Sequence, residues 1–237
     1  MSIARSDRRP VLAVTGLALE ARIAAGDHVE TLVGAGNRET LTRSIEDAIA
    51  RGARGVISFG VAGGLDPRLR SGTWLVASAV RATSTRWTCD PTWTALLCER
   101  LQSAQLVDLL AVDDVVADAA SKRDLRQRSG AAAVDTESHI AAAIAAAHQV
   151  PFAAFRVVVD RAARDLPAAA SLALRADGTV SGRSVLRSIA RRPMQIPALV
   201  ATALDARIAF AALSRGRRLL GAGLACPHFR ELVLDDG

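Results

Sequence analysis

The chain has 237 residues, half of them hydrophobic, and a formal net charge of +6 at pH 7. Its length favours one domain with a sizeable core. Aromatic residues make up only 3% of the sequence and tyrosine is absent, which argues against nucleic-acid binding because such surfaces interleave basic residues with stacking aromatics.

Other features of the composition concern location and metals. Every run of about 18 apolar residues is broken by charged or strongly polar groups, so no membrane span is expected. Residues 1–10 are polar and arginine-rich, without the apolar centre of a signal peptide, which predicts a cytoplasmic protein. The three cysteines, Cys89, Cys98 and Cys226, are scattered without metal-ligand spacing, so we expect reduced thiols and no metal site.

The first predicted elements place glycines and an acid directly after buried strands. Val11–Thr15 predicts a strand, and a turn at Gly16 leads into a helix that carries Glu20 and Arg22. Residues 55–59 predict a second strand, which runs into a glycine-rich turn at residues 60–65. Glycines in this place let the backbone approach a ligand closely, since no Cβ stands in the way.

The next stretch predicts helices and strands with weaker functional signals. Residues 39–51 have helical spacing and follow a Gly-x-Gly turn, so the helix N-terminus is a candidate anion site. Arg38 and Arg22 are candidate phosphate contacts, with solvated arginines as the alternative. Residues 73–80 and 106–112 predict strands, with a helix at residues 91–102 between them.

The most informative stretch is residues 131–160. Residues 131–136 and 152–159 predict strands, and residues 138–148 predict an alanine-rich helix between them. Two strands joined by a helical crossover are expected to lie parallel, with both carboxyl ends at one sheet edge, where ligands bind. Glu137 and Asp160 are therefore expected around one pocket. The alternative is that such acids cap the helix or face solvent.

Three motifs in these segments resemble one known family. They are Gly60-Val61-Ala62-Gly63-Gly64-Leu65, Val134-Asp135-Thr136-Glu137, and Val150-Pro151-Phe152 … Arg156 … Asp160. They resemble the glycine loop, the ribose-binding Val-Glu-Met-Glu run and the Val-Pro-Phe … Arg … Ser-Asp run of the purine nucleoside phosphorylase / methylthioadenosine nucleosidase superfamily. Val11 to Ala21 resembles the first strand and catalytic glutamate of that superfamily.

The resemblance implies an α/β fold: a single-domain three-layer α/β/α sandwich around a central mixed, largely parallel sheet. Residues 1–10 are expected to form a tail, and residues 11–237 a domain with a helical flap from about residue 165. The implied activity is cleavage of an N-glycosidic bond, with no cofactor. Water is slightly favoured as nucleophile, and phosphate is the alternative co-substrate. A homodimer is also implied.

The resemblance assigns roles residue by residue. Asp160 is the implied general acid for the departing base, and Glu20 the implied acid that activates water. The implied ribose contacts are Glu137, Thr136 and Asp135. The remaining assignments are Val115, Val116 and Val159 for the base, Gly60, Val61, Gly63, Gly64, Arg22 and Arg38 for the glycine loop or an anion, and Arg156 as an accompanying residue.

The chain departs from the family pattern at three places. Val159 stands where the family has Ser or Thr, so a hydroxyl that would orient Asp160 is missing. Thr136 replaces Met, and Val61 replaces a frequent Ser. We therefore expect a substrate other than an ordinary nucleoside. A non-catalytic relative that only binds a nucleoside is the competing hypothesis.

The C-terminal third resembles one branch, the hopanoid-associated phosphorylases, also described as adenosylhopane nucleosidases. The matching residues run from Arg175-Ala176-Asp177-Gly178 to Pro197-Ala198-Leu199. Residues 183–192 predict a basic amphipathic helix, for which packing of the apolar stripe on the core is favoured over contact with a membrane surface. Apolar residues and prolines between positions 186 and 199, among them Ile196, Pro197 and Leu199, predict an irregular flap. The alternative for the flap is a dimer interface. Residues 196–213 predict a long closing helix.

Overall fold

The computed structural model of the chain describes residues 9–34, 38–167 and 196–227. Its strands are β1 (Val11–Thr15), β2 (Val29–Val33), β3 (Val56–Gly64), β4 (Trp74–Arg81), β5 (Arg86–Thr88), β6 (Gln105–Ala111), β7 (Ala133–Asp135) and β8 (Phe152–Asp160). Its helices are α1 (Ala18–Ala24), α2 (Arg38–Ala50), α3 (Pro91–Arg100), α4 (Ala119–Ser129), α5 (Ser138–Ala147) and α6 (Ile196–Leu220), followed by a 3-10 helix at Ala222–Ala225.

The eight strands form one mixed sheet, as predicted. The parallel pairs are β1–β2, β1–β3, β3–β8, β4–β6 and β6–β7, and the antiparallel pairs are β3–β7, β4–β5 and β4–β8. In order around the sheet, β3 pairs with β8, β8 with β4, β4 with β6, β6 with β7, and β7 again with β3. These five strands therefore close into a ring, and β1 and β2 extend from β3 as an open wing.

Helices cover both faces of the sheet because successive strand residues point to opposite sides. In β1, Leu12 and Val14 pack in one core cluster with residues of α2 and α5. Val11 and Ala13 pack in a second cluster with residues of α1, α3 and α6. This arrangement gives the three layers that were expected for a single α/β domain.

The predicted orientation of two strands is wrong. β7 and β8 do not pair with each other; β7 is antiparallel to β3, whereas β8 is parallel to β3. The two strands joined by α5 are therefore antiparallel. Their carboxyl ends nevertheless meet, because β3 pairs with β7 only through Gly63 and Gly64 at its own end. Closure of the ring, rather than a parallel crossover, brings the acids together.

Helix α6 packs one face on the sheet and leaves an apolar stripe exposed. Ala209, Ala212 and Leu213 are buried in the core. A Cβ at Gly216 would lie 2.7 Å from the Phe155 ring, so the helix lies close against β8. The exposed stripe is formed by Ile196, Val200, Leu204 and Ile208. By length and composition alone the helix resembles a membrane span, but Asp205 and Arg207 interrupt it.

Several sequence predictions fall outside the described residues. They are the tail at residues 1–8, part of the Gly-x-Gly turn before α2, the basic segment 183–192, and most of the flap and branch motif. Ile196, Pro197 and Leu199, which were assigned to an irregular flap, lie in the first turn of α6.

Candidate active site

Most of the predicted site residues line one cavity at the ends of β3, β7 and β8. Its volume is about 170 Å³. Five carboxylates line it, and no arginine or lysine does so within the described part of the chain. The lining residues are Gly16, Leu17, Glu20, Val61, Ala62, Gly63, Val112, Asp114, Val115, Val116, Val134, Asp135, Thr136, Glu137, Val159, Asp160 and Leu166.

Gly63 is the point at which the walls of the cavity converge. It pairs with Val134 of β7 on one side and with Asp160 of β8 on the other. A Cβ at this position would lie 3.3 Å from Asp160 Oδ1 and 3.5 Å from Val134 Cγ1. The register of β8 shifts between Ala62 and Gly63, and this irregularity places the carboxylate of Asp160 beside the glycine.

Glu20 is held at the start of α1 by three backbone donors. The N–H groups of Gly16 and Leu17 donate to Oε2 at 2.8 Å, and that of Val61 donates to Oε1 at 2.7 Å. Since a carboxylate offers about four acceptor positions, one position is left for a water molecule. The side chain is 1% exposed, and burial raises its pKa to about 7, with Arg156 opposing this shift and Glu137 adding to it. Glu20 can therefore act as a base near neutral pH.

Glycines make room for these carboxylates. A Cβ at Gly60 would lie 2.5 Å from the Glu20 carboxyl group, and Gly60 also has a φ of +155°. A Cβ at Gly16 would lie 2.8 Å from Glu137 Oε1. Gly16, after β1, thus leaves room for Glu137, and Gly60, within β3, leaves room for Glu20. A larger residue would not fit at either position.

Glu137 follows β7 and faces the same space. The Thr136 hydroxyl donates a hydrogen bond to Glu137 Oε1, and the guanidinium of Arg156 lies 3.6 Å from Oε2. Burial raises the pKa of Glu137, while Arg156 opposes the shift. Thr136, which stands where the family has Met, therefore orients the acid rather than adding apolar surface.

Arg156 and Asp135 form a buried ion pair at the cavity. Arg156 is fully buried; its Nε donates to Asp135 Oδ2 at 3.0 Å, and its Nη2 donates to the Ser58 hydroxyl at 2.6 Å. Asp135 Oδ1 accepts from the backbone of Glu137 and Ser138, and Oδ2 also accepts from the Ser138 hydroxyl. All four acceptor positions of Asp135 are filled. In this structure Asp135 fixes Arg156 and the start of α5, and its predicted contact with the ribose stays a prediction.

Asp160 closes the opposite wall and is paired with a residue that the sequence motifs did not indicate. The ammonium of Lys122, on α4, donates to Asp160 Oδ2. Asp160 is 5% exposed and Lys122 fully buried. Burial raises the pKa of Asp160, Lys122 lowers it, and Asp205 of α6 raises it. The group is therefore biased toward carrying a proton, as a general acid requires.

The three valines predicted to bind the base lie at the cavity, but two arginines predicted as anion contacts do not. Val115, Val116 and Val159 line the cavity. Arg22 is exposed on α1, and Arg38 lies at the surface, where it pairs with Asp113 at 3.0 Å. Neither arginine lines the cavity, so the anion contacts predicted for them are not supported.

The glycine loop contributes backbone to the wall of the cavity. Val61 and Gly63 line the cavity, whereas Gly60 and Gly64 lie beside it. Gly60 packs against Glu20, and a Cβ at Gly64 would lie 3.0 Å from the Asp160 carbonyl oxygen. The N–H of Val61 is already used by Glu20.

Comparison with known proteins places the fold. The sequence profile described as the phosphorylase superfamily matches residues 5–192. No protein with a curated description matches the sequence. Among solved structures, a futalosine hydrolase of Helicobacter pylori has a TM-score of 0.61 and 16% identity, covering 78% of this chain and 98% of its own.

Two nucleosidase structures are similar to the same degree. The 5'-methylthioadenosine/S-adenosylhomocysteine nucleosidase of Helicobacter pylori, bound to butyl-thio-DADMe-Immucillin-A, has a TM-score of 0.62 and 14% identity, covering 89% of this chain and 98% of its own. The S-adenosylhomocysteine nucleosidase of Streptococcus pyogenes, in complex with 5-methylthiotubericidin, has a TM-score of 0.59 and 15% identity, covering 88% and 98%. At such identities the likeness establishes a shared fold.

Proposed function

Because the chain belongs to the phosphorylase superfamily, we propose that it cleaves the N-glycosidic bond of an adenosyl compound and releases adenine. The observation that carries the proposal is the grouping of Glu20, Glu137 and Asp160 around one cavity. A protein that only binds a nucleoside has no need of a buried acid with a pKa of about 7.

The three acids divide the chemistry. As the bond to the base breaks, negative charge develops on the leaving base and positive charge on the ribose. Asp160 donates a proton to the base, and the apolar wall formed by Val115, Val116 and Val159 holds the ring beside it. Glu137 binds the ribose hydroxyls and stabilises the positive charge. Glu20 takes a proton from the attacking water.

The charge of the cavity favours water over phosphate as nucleophile. Five carboxylates and no described cation line it, so a phosphate dianion would meet repulsion without a compensating donor. Arg156 is committed to Asp135 and Ser58. The proposed reaction is therefore hydrolysis, with phosphorolysis as the alternative.

A substrate panel tests the cleavage. Adenosine, 5'-methylthioadenosine, S-adenosylhomocysteine and an adenosyl lipid are incubated with the protein, and adenine is measured by chromatography. At least one compound should yield adenine, and Asp160→Asn should lower the rate about 10²- to 10⁴-fold. Glu137→Gln serves as a second variant if Asp160→Asn folds poorly. Binding of a nucleoside without release of adenine from any compound would favour the non-catalytic alternative.

We further propose adenosylhopane as the substrate, acted on by a cytoplasmic homodimer at the inner membrane face. The resemblance of residues 175–199 to the hopanoid-associated branch motivates the substrate. Support comes from Val115, which is 54% exposed at the cavity, and from the exposed stripe of α6. Both suit a substrate with a large apolar body.

A further inference from the structure

Lys122 is the only lysine of the chain, and it is fully buried. It is also the only buried residue of α4, a helix whose other residues are mostly polar and are half-buried or exposed. Lysine is almost never buried completely unless it is paired, and burying an ion pair is costly. Its position therefore calls for an explanation beyond packing.

The ammonium of Lys122 has three partners. It donates to Asp160 Oδ2, to the Arg164 carbonyl at 2.9 Å and to the Arg161 carbonyl at 3.4 Å. These contacts use all three of its hydrogens. They bind one carboxyl oxygen of Asp160 and the turn that follows β8. The other oxygen, Oδ1, stays beside Gly63 at the cavity wall.

We propose that Lys122 is the positioning residue for Asp160, replacing from α4 the hydroxyl that Val159 cannot supply. It holds Oδ2 so that Oδ1 faces the base, and its positive charge makes Asp160 a stronger acid. This inference rests on the proposed cleavage reaction and adds a residue to it.

The charge effect has a definite direction. Burial favours the neutral carboxylic acid, which keeps the proton available, whereas a nearby cation favours the carboxylate and eases release of the proton. A proton donor is most effective when these influences leave its pKa near the working pH. Without Lys122, the acid would hold its proton to higher pH and transfer it less readily.

Other charged groups around Asp160 do not replace Lys122. Asp205 of α6 lies near enough to raise the pKa of Asp160, and Arg164 pairs with Asp205 at 2.6 Å. Glu20 and Glu137 also line the cavity. Among the described residues, Lys122 is the cation that contacts the Asp160 carboxyl group.

A structural alternative is also available. The turn after β8 is held by two further hydrogen bonds, one to the start of α4 and one to the residues before it. The Ala119 N–H donates to Asp165 at 2.7 Å, and the Leu166 N–H donates to the Ala117 carbonyl at 2.7 Å. Lys122 would then only help to dock this turn. Loss of activity alone cannot separate the two readings, so a pH profile is needed.

Two substitutions distinguish the effect of the Lys122 hydrogen bond on the position of Asp160 from the effect of the Lys122 charge. Lys122→Gln keeps a hydrogen-bond donor but loses the charge, and Lys122→Met loses both. We expect kcat for adenine release to fall at least tenfold in Lys122→Met and less in Lys122→Gln. In both variants the alkaline limb of kcat/KM should move to higher pH by about one unit. An alkaline limb that stays in place in both variants would overturn the proposal.

A second measurement does not depend on turnover. The pKa of Asp160 is obtained from the ¹³C resonance of its carboxyl group in the free protein, assigned with Asp160→Asn. It should rise in Lys122→Gln and Lys122→Met if the variants remain folded by circular dichroism. If the wild-type protein releases no adenine but this pKa rises, the proposed reaction fails while the pairing stands. An unchanged pKa in folded variants would overturn the pairing itself.

Discussion

At the scale of single residues, Glu20 is the group whose environment is most specific. It is enclosed by three backbone N–H groups and a glycine, and its pKa is about 7. Since only the ionised form can take a proton from water, kcat/KM should fall as the pH drops through about 7. Measurement of adenine release between pH 5 and 9 tests this; an acidic limb near the ordinary glutamate value of about 4.3 would contradict it.

Substitution of Glu20 tests the same role directly. Glu20→Gln preserves the shape but cannot accept a proton from water, so adenine release should fall about 10²- to 10⁴-fold and lose the acidic limb. Glu39→Gln is the matched control, because Glu39 is an exposed glutamate that pairs with Arg43 on α2. A rate for Glu20→Gln equal to that of the control would remove Glu20 from the mechanism.

Gly60 offers a steric test. In Gly60→Ala the new methyl group would lie 2.5 Å from the Glu20 carboxyl group, so it must displace that acid. We expect the rate of adenine release to be reduced by a larger fraction than the free energy of unfolding measured in urea. Gly130→Ala is the control: Gly130 also has positive φ, but a Cβ there would meet nothing within 4 Å. Full activity in Gly60→Ala would show that the tight approach to Glu20 is not needed.

At the scale of elements, Arg156 joins β8 to β3 and α5. It is bonded to Ser58, Asp135 and Ser138, and it lies near Glu137. In Arg156→Met the buried acids lose their cation, so the free energy of unfolding should fall by about 3–5 kcal/mol. Because Arg156 lowers the pKa of Glu20, the acidic limb of activity should also move to higher pH.

Urea denaturation and pH profiles measure these two effects. Arg43→Met is the control, because Arg43 is exposed and pairs with a neighbouring glutamate on its helix. Equal stability of the two variants would mean that the buried network contributes little. An unmoved acidic limb in a folded Arg156→Met protein would remove the proposed link to Glu20.

Some of the strands and helices could be predicted from the sequence and others could not. β1 and β8 were predicted closely because each is a continuous apolar run that ends in a marked turn or acid. β2 and β5 were missed, since both are short and largely unburied. α4 was missed because a helix with one buried residue has no apolar stripe. The contact between Lys122 and Asp160 joins residues far apart in the sequence, so no local sequence pattern indicated Lys122.

The site was predictable to the extent that it follows strand ends. Glu20, Glu137 and Asp160 all lie at the cavity, although the reason given for the last two was wrong. Ring closure depends on pairing between strands far apart in sequence, which local periodicity does not encode. Arg22 and Arg38 were predicted to contact an anion, but both are exposed and neither lines the cavity.

At the scale of the whole molecule, the exposed face of α6 bears on the proposed membrane contact. Val200 and Leu204 are 54% and 55% exposed. If this stripe contacts lipid, replacing both with serine should reduce co-sedimentation with anionic liposomes. Leu106→Ser is the control, because Leu106 is 58% exposed on β6, away from the stripe.

The outcomes of this test are distinct. Absence of liposome binding by the wild-type protein would contradict the membrane contact. Conversion of a dimer to a monomer by the double substitution, seen by light scattering without lipid, would instead assign the stripe to a subunit interface. Equal liposome binding by the double variant and the control would place the contact elsewhere on the molecule.

The central claim is that water attacks the sugar in an anionic cavity. The most direct measurement follows the reaction of an adenosyl substrate by ¹H and ³¹P NMR, with and without phosphate. Adenine and a free sugar are expected to form at the same rate in both conditions, with no sugar phosphate signal. A strict requirement for phosphate, with ribose 1-phosphate as the product, would contradict it.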